Sequence, residues 1–271
     1  MKYWKSITRI IIGGVLLMGG LATARAGEMS TIKSRGTLIV GVKADYPPFG
    51  FRLPSGEIKG IEPDLAADVA KRLGVKVQYV PVNASNRMQF LEQGKIDLMI
   101  ATMTDTPARE KVIWIVKPDY YASGYNLMLP KSLAVKAWTD LKGKPVCGIQ
   151  GAYYNKSVAE KYGAKVVAFT GTAEALTALK QGRCIGFLYD NTAIQGQLVS
   201  GQWNTFHMPL PTEDALPWGL AVRLGATKLH AFMAGVVKDW HKSGEILKLE
   251  TKYGIQHAPY AEEMHKKYSK M

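Results

Sequence analysis

Residues 97–110 read Asp97-Leu-Met-Ile-Ala-Thr-Met-Thr-Asp-Thr-Pro-Ala-Arg109-Glu110, an apolar run that ends in a hydroxyl-rich turn followed by an arginine. The unbroken apolar run over residues 98–101 is typical of a parallel strand covered on both faces. The proline suits the first position of a helix, and Arg109 offers a planar guanidinium that matches a carboxylate. The stretch predicts an anion site beyond a strand end, with a capped helix and a surface arginine as the alternative.

Strand and helix patterns alternate on both sides of this stretch. Short apolar runs predict strands over residues 38–42, 77–82, 98–101, 146–149, 166–169, 184–189 and 218–222. The segments between and after them predict helices over residues 61–73, 85–93, 156–162, 172–181, 192–199, 228–242 and 245–253. This alternation is typical of doubly wound α/β sheets.

Two extended segments, residues 120–130 and 210–217, cross from one strand-helix series to the other instead of turning back. They predict an α/β protein with two doubly wound lobes, joined by a two-strand hinge, and a ligand cleft between the lobes. We expect lobe 1 to comprise residues 27–126 and 217–271, and lobe 2 to comprise residues 127–216.

The N-terminus carries three cations, an apolar stretch over residues 10–22, and the small residues Ala24 and Ala26 at a cleavage spacing. This predicts a cleavable signal peptide over residues 1–26, with an uncleaved anchor as the alternative. Its removal takes away four cations and no acids, so the formal net charge falls from +13 to +9. We expect a protein that is soluble outside the cytoplasm, and because it is exported we do not expect nucleic acid as a partner for its basic surface.

The chain has two cysteines, Cys147 and Cys184, and each lies at or near the start of a predicted strand. If these strands are neighbours in a parallel sheet, the two sulfur atoms come within bonding reach, and the compartment favours oxidation. We predict a disulfide, with two buried free thiols as the alternative. No histidine or third cysteine accompanies the pair, so we expect no metal site there.

Four segments rich in charged, hydroxyl or aromatic residues follow predicted strands. They are residues 43–46, 102–109, 150–155 and 189–191. In open α/β sheets, ligands bind beyond the carboxyl ends of the strands. Together these segments offer an arginine and hydroxyls for a carboxylate, a carboxylate for an ammonium group, and an aromatic wall. They therefore favour a zwitterionic ligand and a binding role for Arg109.

Motifs spread from residue 36 to residue 254 resemble those of one family. They are Gly36-Thr-Leu-Ile-Val-Gly-Val42 leading to Tyr46-Pro-Pro-Phe49, Gly60-Ile-Glu-Pro-Asp-Leu65, Gly94-Lys-Ile-Asp97, Leu141-Lys-Gly-Lys-Pro-Val146, and Gly182-Arg-Cys184 leading to Asp190. In this order they resemble the polar amino-acid-binding proteins of ABC importers, which have a type II periplasmic binding fold. The resemblance implies a free L-amino acid as ligand, an ABC permease in the inner membrane as partner, and no cofactor.

The resemblance also implies roles for single residues. Arg109 would hold the ligand α-carboxylate, Asp190 the α-ammonium group, and Tyr46 would pack over the ligand side chain. The supporting residues are Thr102 and Thr104 beside Arg109, and Gly151 and Tyr153 on lobe 2. The sequence departs from the family pattern at Thr102 and Tyr153, where smaller residues are usual, so this tyrosine would narrow the cleft or stack on the ligand.

Two further cations bear on the ligand side chain. Lys43 stands where family members that bind cationic side chains often carry aspartate, and Arg87 matches an arginine of aspartate/glutamate-binding members. A lysine there repels a cationic side chain, so the resemblance favours glutamate or aspartate as the ligand. The alternatives are that Lys43 points to solvent and Arg87 only caps a surface helix, that Asp45 neutralises Lys43, and that the ligand is a neutral or cationic amino acid.

The same fold carries cyclohexadienyl dehydratases, which need a catalytic acid in the cleft. No histidine falls at a predicted strand end, and Glu62 and Asp64 lie at a helix start, where acids interact favourably with the helix dipole. We therefore predict a binding protein and not an enzyme. We also expect a monomer, and the polar residues 261–271 give no sign of the membrane segment that a sensor would need.

Overall fold

The chain folds around two main β-sheets, and the computed structural model describes residues 27–271. The predicted signal peptide, residues 1–26, lies outside the described residues. The strands are β1 (Thr37–Val42), β2 (Asp45–Tyr46), β3 (Gly50–Arg52), β4 (Ile58–Lys59), β5 (Lys76–Pro81), β6 (Leu98–Met99), β7 (Trp114–Ile115), β8 (Tyr121–Pro130), β9 (Pro145–Ile149), β10 (Lys165–Phe169), β11 (Phe187–Asp190), β12 (Phe206–His207), β13 (Glu213–Trp218) and β14 (Ala221–Val222). The helices are α1 (Glu28–Arg35), α2 (Ile61–Leu73), α3 (Arg87–Glu92), α4 (Pro107–Glu110), α5 (Tyr154–Tyr162), α6 (Thr172–Lys180), α7 (Asn191–Val199), α8 (Thr227–Ser243), α9 (Glu245–Lys252) and α10 (Pro259–Tyr268).

The first sheet, with the helices packed on it, forms lobe 1. Its strand order is β5-β1-β6-β14-β7, and β1 runs parallel to both β5 and β6. The carboxyl ends of β1 and β6 therefore meet at one edge of the sheet. Lys43 follows β1 directly, and Thr102 follows the segment that continues β6.

The second sheet forms lobe 2 in the same way. Its strand order is β10-β9-β11-β8-β12, and β9 runs parallel to both β10 and β11. Gly151 follows β9, and Asp190 is the last residue of β11, so both lie at the carboxyl edge of this sheet. A small third sheet, of order β2-β3-β4, carries Tyr46.

Two antiparallel strands connect the lobes. β8 leaves lobe 1, β13 returns to it, and their pairing runs from Trp218 opposite Tyr121 to Glu213 opposite Tyr125. This architecture confirms the predicted α/β fold class, with two lobes, a two-strand hinge and a cleft between the lobes. The exact lobe boundaries, after residue 126 and before residue 217, stay predictions because they fall within these two strands.

Local sequence explains the helix that supports the site. In α2, Ile61, Leu65, Val69 and Leu73 recur every four residues and are buried as one stripe. The helix ends because Gly74 takes a left-handed conformation, with φ of 70°, which only glycine adopts readily. Its first turn lies next to the chain that continues β6 towards the cleft. There the N–H of Thr102 donates a hydrogen bond to Oε1 of Glu62.

The predicted disulfide between Cys147 and Cys184 is confirmed, and the two Cα atoms lie 5.5 Å apart. The strand after it begins at Phe187 and not at Cys184, because Phe187 is the residue that pairs with Cys147 in register. Cys184 therefore lies in the preceding bend, next to the amino-terminal end of β9.

The last helix of the structure was not predicted from the sequence. Residues 259–268 form α10, which buries Ala261 and Met264 against the body of the protein. Two buried side chains among lysines and glutamates are too weak a pattern for a sequence-based helix prediction. Within residues 27–271, no helix combines the length and the apolar character needed to cross a bilayer.

Candidate functional site

A small cavity lies between the two lobes, where the carboxyl edges of their sheets meet. It is narrow and partly open to solvent, and its lining residues are Ala84, Arg87, Thr102, Thr104, Arg109, Ala152, Tyr153, Tyr154, Tyr189 and Asp190. A larger and more open depression lies beside Tyr79 and Tyr253, and none of the predicted ligand residues lines it. The convergence of charged side chains, and not size, therefore marks the small cavity as the candidate site.

Arg109 enters the cavity from the short helix α4. Pro107 occupies the first turn of this helix, and the Thr106 hydroxyl caps it by accepting from the N–H of Arg109 at 3.4 Å. The guanidinium donates from Nη1 to the carbonyl oxygen of Thr104 at 2.6 Å, and from Nη2 to the carbonyl oxygen of Gly151 at 3.2 Å. Burial and the like charge of Arg87 lower the pKa of Arg109 to about 10, so it stays cationic at neutral pH.

Asp190 faces the cavity from the opposite lobe and is 8% exposed. It accepts a hydrogen bond from the Tyr46 hydroxyl at 3.0 Å. Burial raises the pKa of Asp190 to about 6, although the hydrogen bond from Tyr46 and the positive charge of Arg87 oppose this rise. An ammonium group beside this carboxylate would favour its ionised form.

Tyr46 lies beneath the cavity and does not line it. Its hydroxyl also contacts the Thr192 hydroxyl at 2.7 Å, and its ring lies 5.3 Å from the ring of Tyr189. The side chain is completely buried. In this arrangement Tyr46 supports Asp190 and the aromatic wall, whereas the resemblance implied a direct contact with the ligand side chain.

Lys43 does not line the cavity and does not face solvent. It is 1% exposed, and its Nζ lies 3.2 Å from Oδ1 of Asp45. Burial lowers the pKa of Lys43, and the neighbouring Asp45 opposes this change. The positive charge of Lys43 is thus compensated by Asp45, which was one of the alternatives that the sequence left open.

Arg87 lines the cavity and is 3% exposed. Its Nη1 donates to the carbonyl oxygens of Ala101 and Thr102, the latter at 3.0 Å. Among residues 27–271 its Nε has no hydrogen-bond partner. Burial lowers the pKa of Arg87, while Tyr189 and Asp190 oppose this change.

Thr102 and Thr104 both line the cavity, next to Arg109. Thr102 has a φ of 45°, and its N–H donates to Oε1 of Glu62 at 2.6 Å. Glu62 is completely buried, and burial raises its pKa to about 7. The sequence interpretation assigned Glu62 to the helix dipole and missed this contact, which depends on how α2 packs against the end of β6.

Lobe 2 contributes a glycine and a wall of tyrosines. Gly151 has a φ of 81°, and a Cβ atom there would lie 2.7 Å from the carbonyl carbon of Ala84 on lobe 1. Tyr153 and Tyr154 both line the cavity, and the Tyr153 hydroxyl donates to the carbonyl oxygen of Asp214 at 2.7 Å.

Of the predicted ligand residues, six line the cavity: Arg87, Thr102, Thr104, Arg109, Tyr153 and Asp190. Four lining residues were not predicted: Ala84, Ala152, Tyr154 and Tyr189. Tyr189 and Tyr154 had a usable signal, because each is adjacent in sequence to a predicted site residue. Ala84 and Ala152 carry no functional group, so only the three-dimensional packing identifies them.

The arrangement suits electrostatic capture of a small zwitterion. The charged lining residues are two arginines and one aspartate, and no histidine, cysteine or serine lines this cavity. Arg109 and Asp190 approach it from different lobes, so a ligand that carries both charges would join the lobes. Within residues 27–271, no cluster of three or more possible metal ligands is present.

Comparisons with known proteins agree with this geometry. The chain matches the family model of bacterial extracellular solute-binding proteins, family 3, over residues 38–256. It is 30% identical over 228 residues to the ABC transporter glutamine-binding protein GlnH of Bacillus subtilis (strain 168), and this match covers 82% of each chain.

Two solved structures extend the comparison. The arginine-bound form of truncated ArgBP from T. maritima is 31% identical, with a TM-score of 0.73 over 78% of this chain and 99% of that chain. AncCDT-1, an ancestral amino acid-binding protein and a precursor of cyclohexadienyl dehydratase, is 30% identical, with a TM-score of 0.74 over 83% of this chain and 98% of that chain. Since the family match spans most of the sequence and both lobes, this chain belongs to the bacterial extracellular solute-binding proteins of family 3.

Proposed function

We propose that this protein is the extracytoplasmic binding component of an amino-acid ABC importer. It captures a free L-amino acid between its lobes and delivers it to a permease in the inner membrane. One observation carries the proposal: Arg109 and Asp190, of opposite charge, line one small cavity from opposite lobes. The family of the chain, and the relative named as a glutamine-binding component of an ABC transporter, support it.

Capture begins on lobe 1, where the guanidinium of Arg109 and the hydroxyl of Thr104 receive the α-carboxylate. Lobe 2 then closes and brings Asp190 against the α-ammonium group. Buried charges are stable only when they are paired and hydrogen-bonded, so the ligand itself stabilises the closed state. The bond from Arg109 to the carbonyl oxygen of Gly151 would help to hold that state, because it joins the two lobes.

We propose glutamate or aspartate as the preferred ligand. The charged lining residues are Arg87, Arg109 and Asp190, which leaves one positive charge in excess. A zwitterion with an additional carboxylate balances this excess, and Arg87 is the cation that remains for the side chain. Lys43 adds less support than its position in the sequence suggested, because Asp45 already compensates its charge.

Neutral and cationic ligands are the alternatives within the same function. The relatives described above are named for glutamine and for arginine. A neutral side chain would leave the charge of Arg87 to be balanced by protein groups alone. A cationic side chain would add a second unit of excess positive charge, which is costly in a buried site.

A dehydratase-like enzyme on the same fold is the second candidate function. The raised pKa of Asp190, about 6, is the observation in its favour, since a protonated carboxyl group can act as a general acid. We favour binding over catalysis because Asp190 faces Arg109 across the cavity, where a carboxylate would pair with the ammonium group of an amino acid.

A thermal-shift screen with the common L-amino acids, prephenate and arogenate tests the proposed function. A ligand present at 100 times its Kd stabilises a protein by about 2.7 kcal/mol, which raises the Tm of a chain of this size by roughly 5–10 °C. We expect this response for glutamate or aspartate. No response to any amino acid would overturn the proposed function, and turnover of prephenate or arogenate would assign the protein to the enzymes.

The remaining parts of the proposal concern location and movement. We propose that the protein acts in the periplasm as a monomer. Residues 27–126 with 217–271 would move as one body and residues 127–216 as the other, by a hinge motion in β8 and β13. Small-angle scattering with and without the ligand would detect this closure and report the molecular mass.

A further inference from the structure

Thr102 has a backbone conformation that its residue type disfavours. Its φ of 45° lies in the left-handed region, which glycine occupies readily and β-branched residues avoid. Thr102 stands two residues before Thr104, whose carbonyl oxygen accepts a hydrogen bond from Arg109. The conformation of Thr102 therefore sets the direction in which the chain leaves β6 and enters the cavity.

Two buried side chains hold the Thr102 backbone. Oε1 of Glu62 accepts from its N–H at 2.6 Å, and Nη1 of Arg87 donates to its carbonyl oxygen at 3.0 Å. Disfavoured backbone conformations persist where the surrounding structure fixes them. Arg87 lines the cavity and Glu62 does not. Glu62 therefore holds Thr102 from outside the ligand site.

The burial of Glu62 needs an explanation beyond helix formation. Asp64 lies in the same helical turn, remains partly exposed to solvent and can interact favourably with the helix dipole. The dipole therefore does not require a second, buried acid at Glu62. Glu62 is 0% exposed, and its Oε1 also accepts from the Tyr120 hydroxyl. Within residues 27–271, its Oε2 has no hydrogen-bond partner. A buried carboxyl group with one unsatisfied oxygen is costly, so the hydrogen bonds from Thr102 and Tyr120 together account for its position, and of these two residues only Thr102 lines the cavity.

We infer that Glu62 is a positioning residue for the ligand carboxylate. By accepting the N–H of Thr102 it fixes the left-handed turn, and this turn aims Thr104 and Arg109 at the carboxylate. Glu62 itself does not touch the ligand. The inference rests on the proposed function for the identity of the ligand, whereas the contact between Glu62 and Thr102 exists independently of the ligand.

Two substitutions at Glu62 separate its acceptor atom from its bulk. Glu62→Gln keeps an oxygen that accepts from Thr102, and Glu62→Leu removes it. Isothermal titration with L-glutamate, L-glutamine and L-arginine identifies the ligand of the wild-type protein and then compares the variants. We expect affinity within about threefold of wild type for Glu62→Gln, and a loss of about tenfold or more for Glu62→Leu. Asp64→Leu is the matched control, because it removes an acid from the same helical turn without touching Thr102.

A second-site substitution tests whether Glu62 acts through Thr102. Glycine adopts the left-handed conformation without strain, so Thr102→Gly should make the contact with Glu62 dispensable. We expect Glu62→Leu to cost at least fivefold less affinity in the Thr102→Gly background than in the wild-type background. Equal losses in both backgrounds would overturn the inference, since independent sites have additive effects.

Amide hydrogen exchange of Thr102, measured by NMR without any amino acid, gives a reading that does not depend on the ligand. The N–H should be protected in the wild type, in Glu62→Gln and in Asp64→Leu, and should exchange at least tenfold faster in Glu62→Leu. Unchanged protection in Glu62→Leu would overturn the inference. If the wild-type protein binds no amino acid, the proposed function fails, and the exchange of Thr102 still decides the inference.

Discussion

Asp45 on lobe 1 accepts a hydrogen bond from the backbone N–H of Thr172 on lobe 2, at 2.9 Å, across the cleft. Thr172 is the first residue of α6, and this helix has Gly171 at its N-cap and no side-chain cap of its own. A carboxylate from the other lobe therefore satisfies one of the free N–H groups of the helix. The same carboxylate pairs with Lys43, so the lysine supports a contact between the lobes.

Removal of this contact should weaken closure. Since a side-chain cap contributes about 1 kcal/mol, we expect Asp45→Ala to raise the Kd of the preferred amino acid by about fivefold. The loss should be larger for neutral than for acidic amino acids, because the variant also leaves the positive charge of Lys43 uncompensated. Isothermal titration measures both effects. Asp239→Ala is the control, since it removes an exposed aspartate that pairs with Arg72 outside the cleft. An unchanged Kd in Asp45→Ala would show that the contact does not contribute to closure.

A methyl group at Gly151 should hinder closure directly. Gly151 and Gly254 both have left-handed backbones, with φ of 81° and 70°, but only a Cβ at Gly151 would meet the opposite lobe, 2.7 Å from Ala84. Gly254 has nothing within 4 Å of such an atom. We expect Gly151→Ala and Gly254→Ala to lower the free energy of unfolding similarly, by about 1–2 kcal/mol.

Only Gly151→Ala should also lower ligand affinity, by about tenfold or more, because its methyl group separates the lobes. Chemical unfolding and titration on the two variants provide the comparison. Equal affinities in Gly151→Ala and Gly254→Ala would mean that the lobes do not approach each other at Gly151 when the ligand binds.

The stability of the protein should fall as the pH rises from 5 to 8, in part because of Glu62. Its pKa is raised from 4.5 to about 7 by burial, so between these values the folded state binds more protons than the unfolded state. The contribution of Glu62 is therefore present below pH 4.5 and is lost as the pH rises through about 7, and its upper size is about 3 kcal/mol.

Urea unfolding of the wild-type protein and Glu62→Gln at pH 5 and pH 8 isolates the contribution of Glu62 to the free energy of unfolding. The glutamine cannot titrate, so the loss of stability between the two pH values should be smaller in the variant by up to about 3 kcal/mol. An identical loss in both proteins would mean that Glu62 is ionised throughout this range.

Much of the candidate site could be predicted from the sequence, because its charged residues lie at or soon after the ends of strands. Arg109 and Asp190 each follow an apolar strand run, and parallel strands place their carboxyl ends at one edge of a sheet. The cysteine pair was predictable because β9 and β11 are parallel neighbours, so the bend before β11 brings Cys184 next to Cys147.

Three features could not be predicted, because they depend on packing between distant elements. The pairing of Asp45 with Lys43 was one of the alternatives in the sequence. The contact of the same carboxylate with lobe 2 depends on the position of α6 and could not be predicted. The hydrogen bond that Tyr46 donates to Asp190 depends on how β2 packs against lobe 2, whereas the contact of Tyr46 with the ligand side chain stays a prediction. Glu62 matched the acidic residue that is usual at a helix N-terminus, so no sequence pattern indicated a second contact.

The proposed function depends on Arg109 as the residue that holds the α-carboxylate of the ligand. Isothermal titration of the preferred amino acid against the wild type, Arg109→Ala and Arg183→Ala tests it most directly. Arg183 is an exposed arginine that lies over the ring of Phe169, away from the cavity, and so controls for the loss of a cation. We predict a loss of affinity of about 100-fold or more for Arg109→Ala and no change for Arg183→Ala. Full affinity in Arg109→Ala would mean that Arg109 does not hold the ligand carboxylate.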